Sequence, residues 1–225
     1  MADDIQQRVR RSSTAVYVLS GLLVLGIVAV IAVVLLTQTD DNDERDDSPP
    51  AASSADGINA LDEPRAIPDF TLPASSGGDL SLSDLEGQLV LLYFGYLHCP
   101  DFCPETMLDY REIHRQLGDQ AGDVAFVFIS VDGERDTPDL LDRFLRRFDP
   151  AFIGMQGNPA VLDEIAGPFN LSYSLNKRSE DDSNYSVDHT ASKFLLDREG
   201  NLTHIISFST PPDVVTATIE AQLES

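Results

Sequence analysis

Residues 89–131 read LVLLYFGYLHCPDFCPETMLDYREIHRQLGDQAGDVAFVFISV. Two apolar runs, 89–96 and 124–131, bound this stretch. Each is continuous rather than alternating, the pattern of a central strand covered on both faces. Between them, Pro104 suits the first position of a helix and Gly118 suits its stop, while Met107, Tyr110 and Leu117 share one face. Strand, helix and strand within about 40 residues predict a right-handed βαβ unit with parallel strands.

Working outward toward the C-terminus, Thr137 suits a helix cap, Pro138 a first position and Asp139 the positive end. Leu141, Phe144, Leu145 and Phe148 make the apolar face of that helix, with Arg143, Arg146 and Arg147 toward its negative end. SKFLLDREGNLTHIISF (192–208) reads as a β-hairpin turning at Glu199, Gly200 and Asn201. A last helix starts near Pro211, Pro212 and Asp213 and presents Val215, Ile219 and Leu223. The expected class is α/β. The order βαβα, hairpin, α is that of a thioredoxin-like fold, a central mixed β-sheet flanked by helices, over residues 66–225.

Outward in the other direction, residues 14–36 form a run of 23 residues without a charge. At about 1.5 Å per residue this spans the roughly 30 Å hydrocarbon layer, and no polar stripe marks it as a core helix. The run is longer than a signal-peptide core of about 7–15 residues, and no small-x-small cleavage site follows it, so an uncleaved transmembrane helix is expected. Arg8, Arg10 and Arg11 precede the span and TDDNDERDD (39–47) follows it. The positive-inside rule therefore keeps residues 1–13 in the cytoplasm and exports the rest. Asp3 and Asp4 argue against a mitochondrial transit peptide, which leaves a single-pass protein of the bacterial cytoplasmic membrane. Residues 37–65, acidic and then rich in Ser, Ala and Pro, read as a flexible linker.

The chain carries a net charge of −23, of which −18 falls on residues 62–225. No basic stripe remains to neutralise phosphates, which excludes nucleic acid as a partner. The plain meaning of the charge is solubility of an exported domain.

Only two cysteines are present, Cys99 and Cys103. Paired thiols in an exported domain most often form a structural disulfide. A loop of three intervening residues, however, removes little entropy from the unfolded chain and makes a poor staple. Each cysteine precedes a proline, which disfavours helical backbone and places both in a loop leading into the helix that begins at Pro104. The positive helix end favours the thiolate, the form that binds metal and attacks disulfides. Thiolates alone support either reversible redox chemistry or a soft-metal site, and a third ligand separates the two. Of the four histidines, His98 adjoins the first cysteine and points away from it, His114 lies within a helix and His204 within a strand, so packing or surface roles are their default. His189 stands in YSVDHTASKF, entering the hairpin after the polar stretch SEDDSNYS. A thioredoxin-like topology brings that loop beside the cysteines. Two thiolates and an imidazole suit copper, whereas structural zinc takes a fourth protein ligand. Asp188 is the candidate for orienting His189.

PDFTL, LSLSDLEGQLVLLYFGYLHCPDFCPETM, FISVDGERDTPDLL and VDHTASKFLLDREG occur in this order, and together they resemble the Sco/SenC family over residues 66–225. The resemblance implies a copper-binding assembly factor for the CuA centre of cytochrome c oxidase, with the oxidase subunit II or another copper or thiol protein as partner. It also implies that Cys99, Cys103 and His189 bind copper, and that the motif cysteines can form a disulfide. A thiol-disulfide oxidoreductase that reduces the CuA-site cysteines is the competing function. Thr190, Ala191 and Ser192 supply no proline before the hairpin, unlike thioredoxin-type oxidoreductases. A peroxidase is disfavoured, because no threonine stands among residues 95–98 ahead of Cys99. The family commonly has proline where this chain has Gly133, which is expected to loosen a loop away from the metal.

Overall fold

The computed structural model describes residues 57–224. The expected transmembrane helix and most of the expected linker lie outside the described residues. Among the described residues no helix is long and apolar enough to cross a membrane.

A six-stranded mixed sheet forms the middle of the domain, in the order β1 (Ile58–Arg65), β10 (Leu202–Ile206), β9 (Lys193–Leu196), β4 (Leu89–Gly95), β5 (Val124–Ser130), β6 (Ile153–Gln156). β4, β5 and β6 run parallel, and β9 joins β4 antiparallel. Every residue of β4 and of β5 is buried, which is why both read as unbroken apolar runs. Helix α1 (Phe102–Leu117) connects them. Its buried residues Cys103, Thr106, Met107, Tyr110, Ile113 and Leu117 recur at helical spacing, and Gly118 ends it at φ 55. Tyr110 is fully buried and donates its hydroxyl to the Leu91 carbonyl at 3.1 Å, pinning α1 to β4.

Helix α2 (Pro138–Leu145) packs on β6, and α3 (Pro159–Phe169) follows, capped by the Asn158 side chain. The expected hairpin of β9 and β10 turns with Gly200 at φ 79, where the Asp197 carboxylate accepts the amides of Glu199 and Asn201. Helix α4 (Pro212–Leu223) packs against α1. Two short ladders complete the domain: β2 (Thr71–Pro73) with β3 (Asp79–Ser81), and β7 (Tyr173–Leu175) with β8 (Val187–His189). This is a thioredoxin-like α/β fold.

Two expectations need correction. Residues 58–65, expected within the linker, form the edge strand β1 against β10. Only Ile58, Leu61 and Arg65 are shielded there and the register shifts midway, so the strand has no clean hydrophobic alternation. Helix α1 begins at Phe102 rather than Pro104, which places Cys103 inside its first turn. The bias of a residue before proline against helix yields here because a proline in the first turn breaks no intrahelical bond.

Candidate metal centre

The loop after β4 and the first turn of α1 hold the two sulfurs, and the β7–β8 ladder delivers the imidazole. Cys103 Sγ lies 3.8 Å from His189 Nε2, across 86 residues of sequence. The ligand atoms of Cys99, Cys103 and His189 all lie within 4.8 Å of one another, and both cysteines are free thiols.

Each group is prepared differently. The Cys99 sulfur accepts the backbone N–H of Cys103 at 3.4 Å. The Cys103 thiol and the amides opening α1 stabilise negative charge on Cys99 and push its thiol down to about 5, against the opposing effect of burial. Cys103, whose sulfur is fully buried, is pushed the other way, well above the ordinary thiol range, by its hydrogen bond to Cys99 and by burial. Cys103 also receives the Tyr96 amide at 3.5 Å and stands 3.9 Å from the Tyr93 hydroxyl.

The imidazole is fixed by backbone. His189 Nδ1 is 3.0 Å from the Thr190 carbonyl, which only accepts, so the proton sits on Nδ1 and the Nε2 lone pair faces the sulfurs. Rings of Tyr93 and Tyr96 flank it edge-on at 5.9 and 5.8 Å. Asp188 does not orient it. That carboxylate accepts from Asn176 instead, because alternation along β8 turns residues 188 and 189 to opposite faces.

Gly95 was not singled out in the sequence, yet it makes room for the site. A Cβ there would lie 2.9 Å from Cys103 Sγ and 2.8 Å from the Phe128 ring. A buried network that braces the β7–β8 ladder was also missed. The Tyr185 hydroxyl donates to Asp132 at 2.6 Å, and Arg135 ion-pairs with Asp132, lies 3.5 Å over the Tyr185 ring and donates to its carbonyl. Within the polar stretch before His189, Tyr185 is buried. The other histidines stand apart from the sulfurs: His114 packs on Phe126 and Phe152, His204 contacts Thr203, and His98 faces Asp136.

One consequence is testable on the reduced protein. A thiol with a lowered pKa stays thiolate as the pH falls, so iodoacetamide labelling of Cys99 is expected to change by no more than about twofold between about pH 8 and pH 6. An ordinary cysteine slows about tenfold per pH unit below its pKa of roughly 8.5. Peptide mass spectrometry separates Cys99 from Cys103, and an ordinary pH slope at Cys99 would contradict the charge assignment.

The SCO2-like protein of Rickettsia felis is 35% identical over 148 residues, covering 65% of this chain and 72% of that protein. Bradyrhizobium japonicum ScoI with copper bound has a TM-score of 0.62 at 32% identity, covering 69% of this chain and 98% of that one. Apo Sco1 from Thermus thermophilus gives 0.66 at 34% identity, covering 76% of this chain and 98% of that one. The sequence model described as SCO1/SenC matches residues 59–224, and the chain belongs to that family.

Proposed function

We propose that this protein is a copper chaperone, anchored by residues 14–36 in a bacterial cytoplasmic membrane with its domain outside, that helps assemble the CuA centre of cytochrome c oxidase subunit II. Copper is its cargo. The observation that carries the reading is the convergence of two cysteine sulfurs and one imidazole nitrogen within 4.8 Å. Soft thiolates select Cu(I), and the added nitrogen lets the same donors hold Cu(II). The likeness to a copper-bound ScoI supports copper as the ion. A cleft of about 330 Å³, lined by Tyr96, Cys99, Pro100, Phe102, Asp188 and His189 among others, gives an incoming thiolate access to Cys99 while Cys103 stays buried behind it.

Copper titration of the reduced full-length protein under anaerobic conditions tests the reading, with one copper per chain expected. His189→Ala is expected to weaken Cu(II) by more than the roughly 10–100-fold that loss of an outer partner costs a metal site. Unchanged retention would remove His189 from the ligand set. Gly95→Ala is expected to destabilise the domain by about 1–3 kcal/mol in urea unfolding and to weaken copper binding, because the new methyl displaces the Cys103 sulfur. A variant as stable and as tight as the parent would refute the packing role.

The free thiols and the lowered pKa of Cys99 favour a second reading, a thiol-disulfide oxidoreductase acting on the CuA-site cysteines. It needs Cys99 and Cys103 but not His189. Thiol transfer to an oxidised dithiol peptide that persists in His189→Ala, at unchanged rate and without copper, selects that reading.

A further inference from the structure

Asp136, in the loop between β5 and α2, is fully buried. Its Oδ2 accepts the Leu97 amide at 2.9 Å and the Ser130 hydroxyl at 2.7 Å. Those bonds fix the carboxylate and leave Oδ1 shielded from solvent with no hydrogen-bond partner. Buried polar atoms are almost always partnered, and the exceptions point to a function or to a missing ion. Facing Oδ1 at 3.8 Å is Nδ1 of His98, beyond hydrogen-bonding range, on a side chain that is 58% exposed. His98 immediately precedes Cys99.

We propose that His98 Nδ1 and Asp136 Oδ1 form a second cation site at the outer edge of the cysteine loop, one that takes Cu(II). Imidazole nitrogen and carboxylate oxygen suit a borderline divalent ion, in contrast to the sulfur-rich inner site that selects Cu(I). The spacing fits. Donors about 2.1 Å from a shared ion stand about 3.0 Å apart as neighbours and about 4.2 Å apart as opposite ligands in the tetragonal geometry of Cu(II). The observed 3.8 Å lies between these limits, and the exposed ring is free to turn. Water completes the coordination from the solvent side. The strongly acidic domain raises the local concentration of cations. Because Asp136 also holds the Leu97 amide, an ion here rides on the same loop as the Cys99 sulfur. A role as a station on the route to that sulfur rests on the copper reading; the outer site itself does not.

The test removes the inner site. Full-length protein in detergent micelles carrying Cys99→Ser, Cys103→Ser and His189→Ala is titrated with copper(II) sulfate and read by electron paramagnetic resonance. The expected result is one Cu(II) per chain, coupled to imidazole nitrogen and without a sulfur-to-copper charge-transfer band. Adding His98→Ala, a surface change that spares the fold, abolishes that coupling and weakens binding at least tenfold. Asp136→Asn, with its fold checked by circular dichroism, does the same, whereas His114→Ala and His204→Ala leave the signal intact. No stoichiometric Cu(II), or imidazole coupling that survives His98→Ala, overturns the proposal. Neither outcome touches the inner site, which is judged by copper binding to the unaltered protein.

Discussion

Gly133→Pro is expected to destabilise the domain by about 3 kcal/mol, lowering the thermal unfolding midpoint by roughly 6–12 °C for a domain of this size. Proline is the residue that the family resemblance leads one to look for at this position. In this chain a Cβ at 133 would lie 1.8 Å from the Gly157 carbonyl oxygen, 3.0 Å from its carbon and 3.3 Å from Gln156 Cγ. The obstacle is backbone, so no side-chain rotation relieves it. Gly157 has little freedom to retreat: its amide donates to the Ser130 carbonyl at 3.0 Å, and it is itself a glycine against that oxygen. The Gln156 side-chain amide ties back to the Gly133 carbonyl at 2.6 Å. The glycine therefore serves close packing of the loops after β5 and β6, and the expectation that it loosens a loop is corrected. Gly133→Ala is expected to act in the same direction. Gly122→Ala, where nothing lies within 4 Å of the added carbon, is expected to stay within about 0.5 kcal/mol. Equal midpoints for the two alanine variants would show that the loops separate without strain.

The contrast between Gly133 and its surroundings shows what the sequence made legible. The runs at 89–96 and 124–131 announce their strands because burial on both faces excludes polar residues from them. The cysteines are legible because four residues of separation on a loop-to-helix junction puts their sulfurs together, whatever the rest of the chain does. His189 follows from topology, since the chain entering the hairpin passes the C-terminal end of β4. What was not legible depends on contacts between distant backbone atoms. The Thr190 carbonyl, the Tyr96 amide and the space at Gly95 leave no mark on residue type beyond one glycine. The Asp-His dipeptide suggested the wrong partner for the imidazole because strand alternation, not adjacency, decides which side chains meet. Strand β1 escaped notice for a related reason: its backbone bonds to β10 hold it, and most of its side chains face solvent.

Asp109→Ala is expected to cost about 3 kcal/mol in urea unfolding near neutral pH, while Lys193→Met stays within about 1.5 kcal/mol of the parent. The asymmetry follows from burial. Lys193 is fully buried on β9, and its ammonium donates to the Asp109 carboxylate at 3.2 Å and to the Phe208 carbonyl at 3.1 Å. The Asp109 side chain keeps 22% exposure. Removing the aspartate strands a cation in the interior, whereas removing the lysine leaves an anion that water can reach. Burial already lowers the Lys193 pKa, and Asp109 opposes that shift. Without Asp109 the folded-state value falls further below the unfolded one, so the folded form binds fewer protons in the interval between them. Stability in that interval rises with pH, and the deficit of Asp109→Ala is expected to shrink as the pH climbs toward that of free lysine. The double variant should recover most of the loss, giving a coupling energy of roughly 1–3 kcal/mol, the range typical of residues in contact. A deficit independent of pH, or purely additive variants, would mean that Asp109 acts through helix packing alone. The pair ties α1, which carries Cys103, to β9, which begins four residues beyond His189, so this charge holds the cysteine-bearing helix against the strand that follows the imidazole.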